Sequence, residues 1–73
     1  MFPNLLGVKA SRRLTNGDMG KIIGVSRYAF GRKMRRGSFL PDECRAICKY
    51  FDLPFEYLFA LPEEGGITER PGK

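Results

Sequence analysis

The sequence has no histidine, only two cysteines, no apolar run long enough to span a bilayer, and no acidic residue between Ser26 and Leu40. Without histidine the commonest general base and metal ligand is missing. Cys44 and Cys48 stand four apart, so on a helix they share one face. They make a poor disulfide framework, lack the further ligands a zinc site needs, and read as small buried hydrophobes. Ser11, Ser26 and Ser38 have no evident activating partner. These gaps argue against an enzyme and leave no basis for expecting a cofactor, a metal or a small-molecule substrate. The absence of a spanning run argues against a membrane protein. The opening "MFPNLLGVKASRRL" lacks the basic-then-apolar layout of a signal peptide, which makes the cytoplasm the expected address.

What is present suits one small folded unit. Seventy-three residues lie near the lower limit at which a chain buries enough apolar surface to fold without staples. A hydrophobic content of 42%, with six Phe and three Tyr, supplies a core and argues against disorder. The formal net charge of +5 is unevenly spread. Residues 1–25 carry four cations against Asp18, residues 26–40 carry five cations and no acid, and residues 41–73 carry four cations against seven acids. Such a local field points to a polyanion, of which nucleic acid is the commonest, although an anionic membrane surface would also suit the charge.

Glycine and proline fall where they punctuate short helices. A first helix is expected from about Pro3 or Asn4 to Arg13, with Leu5 and Val8 on one face and Leu14 turning the chain inward. Thr15 and Asp18 have the spacing of a capping box. A second helix over about 16–23 presents Met19, Ile22 and Ile23, and Gly20 leaves room for close approach. Gly24 suits the left-handed conformation that ends a helix, and Ser26 can cap the next. The third helix, about 27–36, turns Phe30 and Met34 to one side at about 100° per residue, while Tyr28, Arg32 and Arg35 share the other and Arg27 and Gly31 flank it. Pro41 with Asp42 and Glu43 opens a fourth helix, whose Cys44, Ile47, Cys48 and Phe51 form the clearest apolar stripe. Pro54 opens a short fifth helix holding Phe55, Tyr57, Leu58 and Phe59. The expectation is an all-α compact bundle of about five short helices over residues 1–61, followed by a flexible tail over 62–73.

The order and spacing of "LTNGDMGKIIGVSRYAFGRKM" resemble the Cro/repressor-type (XRE-like) helix-turn-helix family of phage and bacterial regulators over roughly residues 2–60. Thr15 and Asn16 stand where that family has Thr-Gln, Gly20 where it has a small residue, and "GVS" where it has the turn. "MFPNL" and "EYLF" look like a subgroup of small phage-encoded regulators. Lys33 departs from the pattern by standing where the family places an apolar residue. The resemblance implies a lambda-repressor-like domain that binds double-stranded DNA at an operator and blocks polymerase, with the third helix in the major groove. Carried over to this sequence, it nominates Arg27, Tyr28, Gly31 and Arg32 for base contacts and Asn16, Ser26, Arg35, Arg36 and Ser38 for the phosphate backbone.

Simpler readings compete. Cations near a helix C-terminus are favoured by its dipole, which accounts for Arg35 and Arg36 but not for Arg27 and Arg32. Tyr28 can pack on a thymine methyl, bond a phosphate, or serve as a half-buried packing residue. One helix-turn-helix reads few base pairs, so specific affinity normally takes two copies on a near-palindromic site. Phe55, Leu58, Phe59 and Leu61 can supply that homodimer contact, or can simply close the monomer core. The competing function is a protein-interaction module of the same fold that docks another regulator. Membrane-surface binding by the third helix is disfavoured because its apolar stripe is narrow.

Overall fold

A computed structural model describes residues 2–62, which fold as α1 (Pro3–Ser11), α2 (Asn16–Ile23), α3 (Arg27–Arg36), α4 (Pro41–Phe51) and α5 (Phe55–Leu58), with no strand among them. The bundle is all-α, as expected. The tail over 62–73 lies outside the described residues except for Pro62. No helix among the described residues is long and apolar enough to cross a membrane.

Local chemistry sets most helix ends. Pro3 and Pro41 each occupy a first helical position, where the missing N–H would have had no helical partner. The first helix stops at Ser11, short of Arg13, because Arg13 takes a left-handed φ of 56°. That kink lets the Leu14 N–H reach the Lys9 carbonyl at 3.0 Å and swings the Leu14 side chain against the core. At the start of α2 the capping box forms in full: the Asp18 N–H donates to Thr15 Oγ1 at 3.0 Å, and the Thr15 N–H donates to Asp18 Oδ2 at 2.9 Å. Gly24, at φ 76°, ends α2, and the Ser26 hydroxyl accepts the Ala29 N–H at 3.1 Å to start α3.

Gly20 is what allows this turn to be so tight. A β-carbon there would sit 2.4 Å from the Val25 carbonyl oxygen, well inside contact distance, so only glycine lets the turn fold back onto α2. α2 then lies against both α3 and α4, while α5 bridges α1 and α4. The Asn4 amide donates to the Tyr57 carbonyl at 2.8 Å and ties the two ends of the domain together.

Leu5, Met19, Phe30, Ile47 and Leu58 are fully buried, one from each helix, and Phe2, Met34, Phe51 and Phe59 complete the core. The α3–α4 loop contributes more than a connection. Phe39 places its ring 5.6 Å from both Phe30 and Phe59 and 5.9 Å from Phe2, joining three parts of the chain through one aromatic cluster. Edge-on and tilted pairs of this kind each stabilise by about 0.5–1.5 kcal/mol beyond their buried area. The cluster corrects two of the dimer candidates. Leu58 and Phe59 face inward and close the monomer core, which is the alternative the sequence left open, while Phe55 stays exposed.

Candidate nucleic-acid interface

Phe30 and Met34 bury one side of α3, and this anchoring leaves Arg27, Tyr28, Arg32, Arg35 and Arg36 exposed on the rest of the helix. Tyr28 is 69% exposed, which rules out the half-buried packing role. Among the described residues, Arg27, Arg32, Arg35 and Arg36 make no ion pair. Arg32 and Arg36 lie one turn apart, a like-charge arrangement that destabilises by a few tenths of a kcal/mol. The left-handed C-cap Gly37, at φ 66°, closes the helix and directs its N–H and that of Ser38 to the Lys33 carbonyl, at 2.7 and 3.1 Å.

The other sequence-nominated positions divide. Asn16, Ser26 and Ser38 are exposed around the same helix. Ser26 accepts a backbone N–H as the cap, which leaves its own O–H free to donate. Gly31 is a correction, because it is buried and so presents no edge to a base. A β-carbon on Gly31 would lie 3.3 Å from Asn16 Nδ2 and 3.5 Å from Arg35 Nη1. The start of α2 crosses α3 here, and Gly31 is the floor over which the Asn16 amide and the Arg35 guanidinium converge. Both nominated phosphate contacts are therefore brought together from different helices.

Sequence reasoning missed two features. The first is the fate of Lys33. It points inward with 21% of its side chain exposed and meets Glu43, 12% exposed, at 3.1 Å. The same Glu43 oxygen accepts the Leu40 N–H at 2.9 Å, so one carboxylate caps α4 and holds α3. A usable signal existed: Lys33 follows the inward-facing Phe30 by three residues, and a cation on that side of a helix needs an acid. The second is the pairing of Arg27 with Tyr28. Arg27 Nη2 donates to Tyr28 Oη at 2.9 Å, and the guanidinium carbon lies 4.9 Å from the ring centroid.

Titration adds two points. The Thr15 backbone and side-chain hydrogen bonds hold the Asp18 carboxyl below its ordinary value. Burial is the main factor pushing the Cys44 and Cys48 thiols up, with Cys48 and Glu43 adding to the effect at Cys44 and Glu56 at Cys48. Both cysteines are thus biased away from the nucleophilic thiolate.

On another side of the molecule, Phe55 is 55% exposed and forms a wall shared by two apolar grooves. One, of about 390 Å³, is floored by Cys44, Cys48 and Leu53; the other, of about 260 Å³, runs past Phe39 and Phe59 to Leu61. Exposed Leu40 adds to the apolar surface of the α3–α4 loop. No family model matches the chain, and no curated protein or solved structure matches it either.

Proposed function

We propose that the protein is a sequence-specific double-stranded DNA-binding regulator of the Cro/repressor type, a binding protein rather than an enzyme, acting in the cytoplasm or nucleoid and reading the major groove with α3. The observation that carries this reading is the outer face of α3, where four exposed arginines and an exposed tyrosine stand on a well-anchored helix with no acid among them. A helix with its side chains is about 10–12 Å across, which fits a major groove about 12 Å wide, and at about 1.5 Å per residue the ten residues of α3 offer roughly 15 Å of length along it. Self-repulsion among the arginines is more than offset when phosphates replace the counterions.

In this reading Arg27, Tyr28 and Arg32 reach base edges, while Asn16, Ser26, Arg35, Arg36 and Ser38 engage the backbone. A second copy of the chain covers the apolar surface around Phe55, Leu40 and Leu61. Arg45, which lines the groove under Phe55, is bonded to Asp42 at 2.9 Å, so its charge is compensated within each copy. A dimer then reads two half-sites of a near-palindromic operator.

The exposed Phe55 also favours a second reading, a module that docks a different regulator through the same groove. Selection of bound duplexes from a random pool separates them. The DNA reading expects recovery of a near-palindromic site whose affinity falls steeply with salt. An interaction module expects no mobility shift at low salt, and that result would refute the DNA reading.

A further inference from the structure

We infer that Arg27 and Tyr28 act as one reading unit for a guanine beside a thymine, in the DNA site that the proposed function assigns to α3. The inference rests on that function and adds the base identity. Arg27 and Tyr28 are the first two residues of α3, both exposed, and they hold each other: the guanidinium donates to the phenol oxygen at 2.9 Å and covers the ring at 4.9 Å. A free arginine on a helix surface samples many rotamers and loses that freedom on binding. Here a single hydrogen bond and a ring contact already restrict it.

The bond uses one of the five guanidinium donors. Enough remain for the forked contact to guanine O6 and N7, the commonest base-specific contact an arginine makes. Tyr28 brings something different, an aromatic surface 69% open to solvent. In the major groove the one apolar feature of a base edge is the thymine methyl, so the ring and the guanidinium call for different bases. The guanidinium carbon lies 4.9 Å from the ring centroid, short of the two base-pair steps, about 6.8 Å, that would leave an unread base pair between them. The pair therefore selects neighbouring positions, guanine under Arg27 and thymine under Tyr28. A lone arginine would specify only the guanine.

The test uses the wild-type chain and the duplex recovered by selection, with single-base analogues placed in it. Replacing the thymine by uracil removes only the methyl, and should weaken binding about fourfold, the equivalent of one buried methylene. Replacing the guanine by 7-deazaguanine removes one arm of the fork and should weaken binding about tenfold. Tyr28→Ala should abolish the uracil effect and shrink the deazaguanine effect. Tyr28→Phe, which keeps the ring but not the tethering oxygen, should retain the uracil effect and shrink only the other. Tyr28 is exposed, so both variants should keep the wild-type thermal midpoint, and that measurement shows any loss is not unfolding. Indifference of the wild type to both analogues, or analogue effects unchanged in Tyr28→Ala, overturns this inference while leaving salt-dependent DNA binding intact. Failure of any duplex to bind at low salt overturns the inference and the proposed function together.

Discussion

On α3 the arginines at 27, 32, 35 and 36 stand exposed with no ion pair among the described residues, whereas at α4 every acid of the first turn is engaged: Asp42 bonds Arg45 at 2.9 Å, and Glu43 takes both Lys33 and the Leu40 N–H. The two helices follow one another in the chain and share one core, through Phe30 and Met34 on one side and Ile47 and Phe51 on the other. Their charges do different things. At α4 Glu43 holds the fold, while the exposed Asp42–Arg45 pair adds little, and Lys33, although it belongs to the basic run, is recruited by Glu43. Those on α3 leave the fold slightly worse off and are available to a partner. Charge that is not used internally is the more informative about function.

The largest effect is expected at the α2–α3 turn, which positions the arginine-bearing helix. Gly20→Ala should improve the intrinsic helix propensity of α2 by roughly 1 kcal/mol, yet the clash with the Val25 carbonyl should leave the protein less stable by about 1–3 kcal/mol in denaturant unfolding. It should also displace α3 and so weaken DNA binding. A gain in stability would show that the turn yields easily.

Arg32→Ala tests the face itself. It should weaken a cognate duplex by about 1–3 kcal/mol in titrations while leaving random DNA and the unfolding midpoint nearly unchanged. Equal losses on both duplexes would make Arg32 a backbone contact. Glu43→Ala is the counterpart on the other helix: it should lower stability by about 1–2 kcal/mol by leaving Lys33 and the Leu40 N–H without their acceptor, with no change in the salt slope of DNA binding. Arg36→Ala should do the reverse, leaving stability alone and flattening the plot of log affinity against log salt by about 0.9.

The smallest effect concerns Asp18. Its folded pKa lies below the ordinary value, so its stabilising contribution is complete above the usual carboxyl range, near pH 4, and is lost as pH falls through the lower folded value. The thermal midpoints of wild type and Asp18→Asn should therefore differ at neutral pH and converge in strong acid. A gap that stayed constant with pH would remove the capping carboxylate as its cause.

Helix positions were legible in the sequence because the signals that end helices are local. The capping box of Thr15 and Asp18, the left-handed Gly24, the Ser26 cap and the two first-turn prolines each act within about four residues. The candidate interface was legible in part for the same reason. The 100° step correctly separates Phe30 and Met34 from Tyr28, Arg32 and Arg35. It gave no warning about Gly31, since a wheel describes one helix and says nothing about the neighbour lying across it.

By itself, then, the sequence determined where the helices begin and end, which side of α3 is apolar, and where positive charge accumulates, because those properties depend on residues a few positions apart. Tertiary structure alone decided that Gly31 lies beneath Asn16, that Glu43 removes Lys33 from the basic face, and that Phe39 gathers three other phenylalanines. Each of those outcomes turns on which helix crosses which and at what height. Close packing settles that over the whole chain at once, and a single stretch shows at most that a partner is needed, as at Lys33, without saying which.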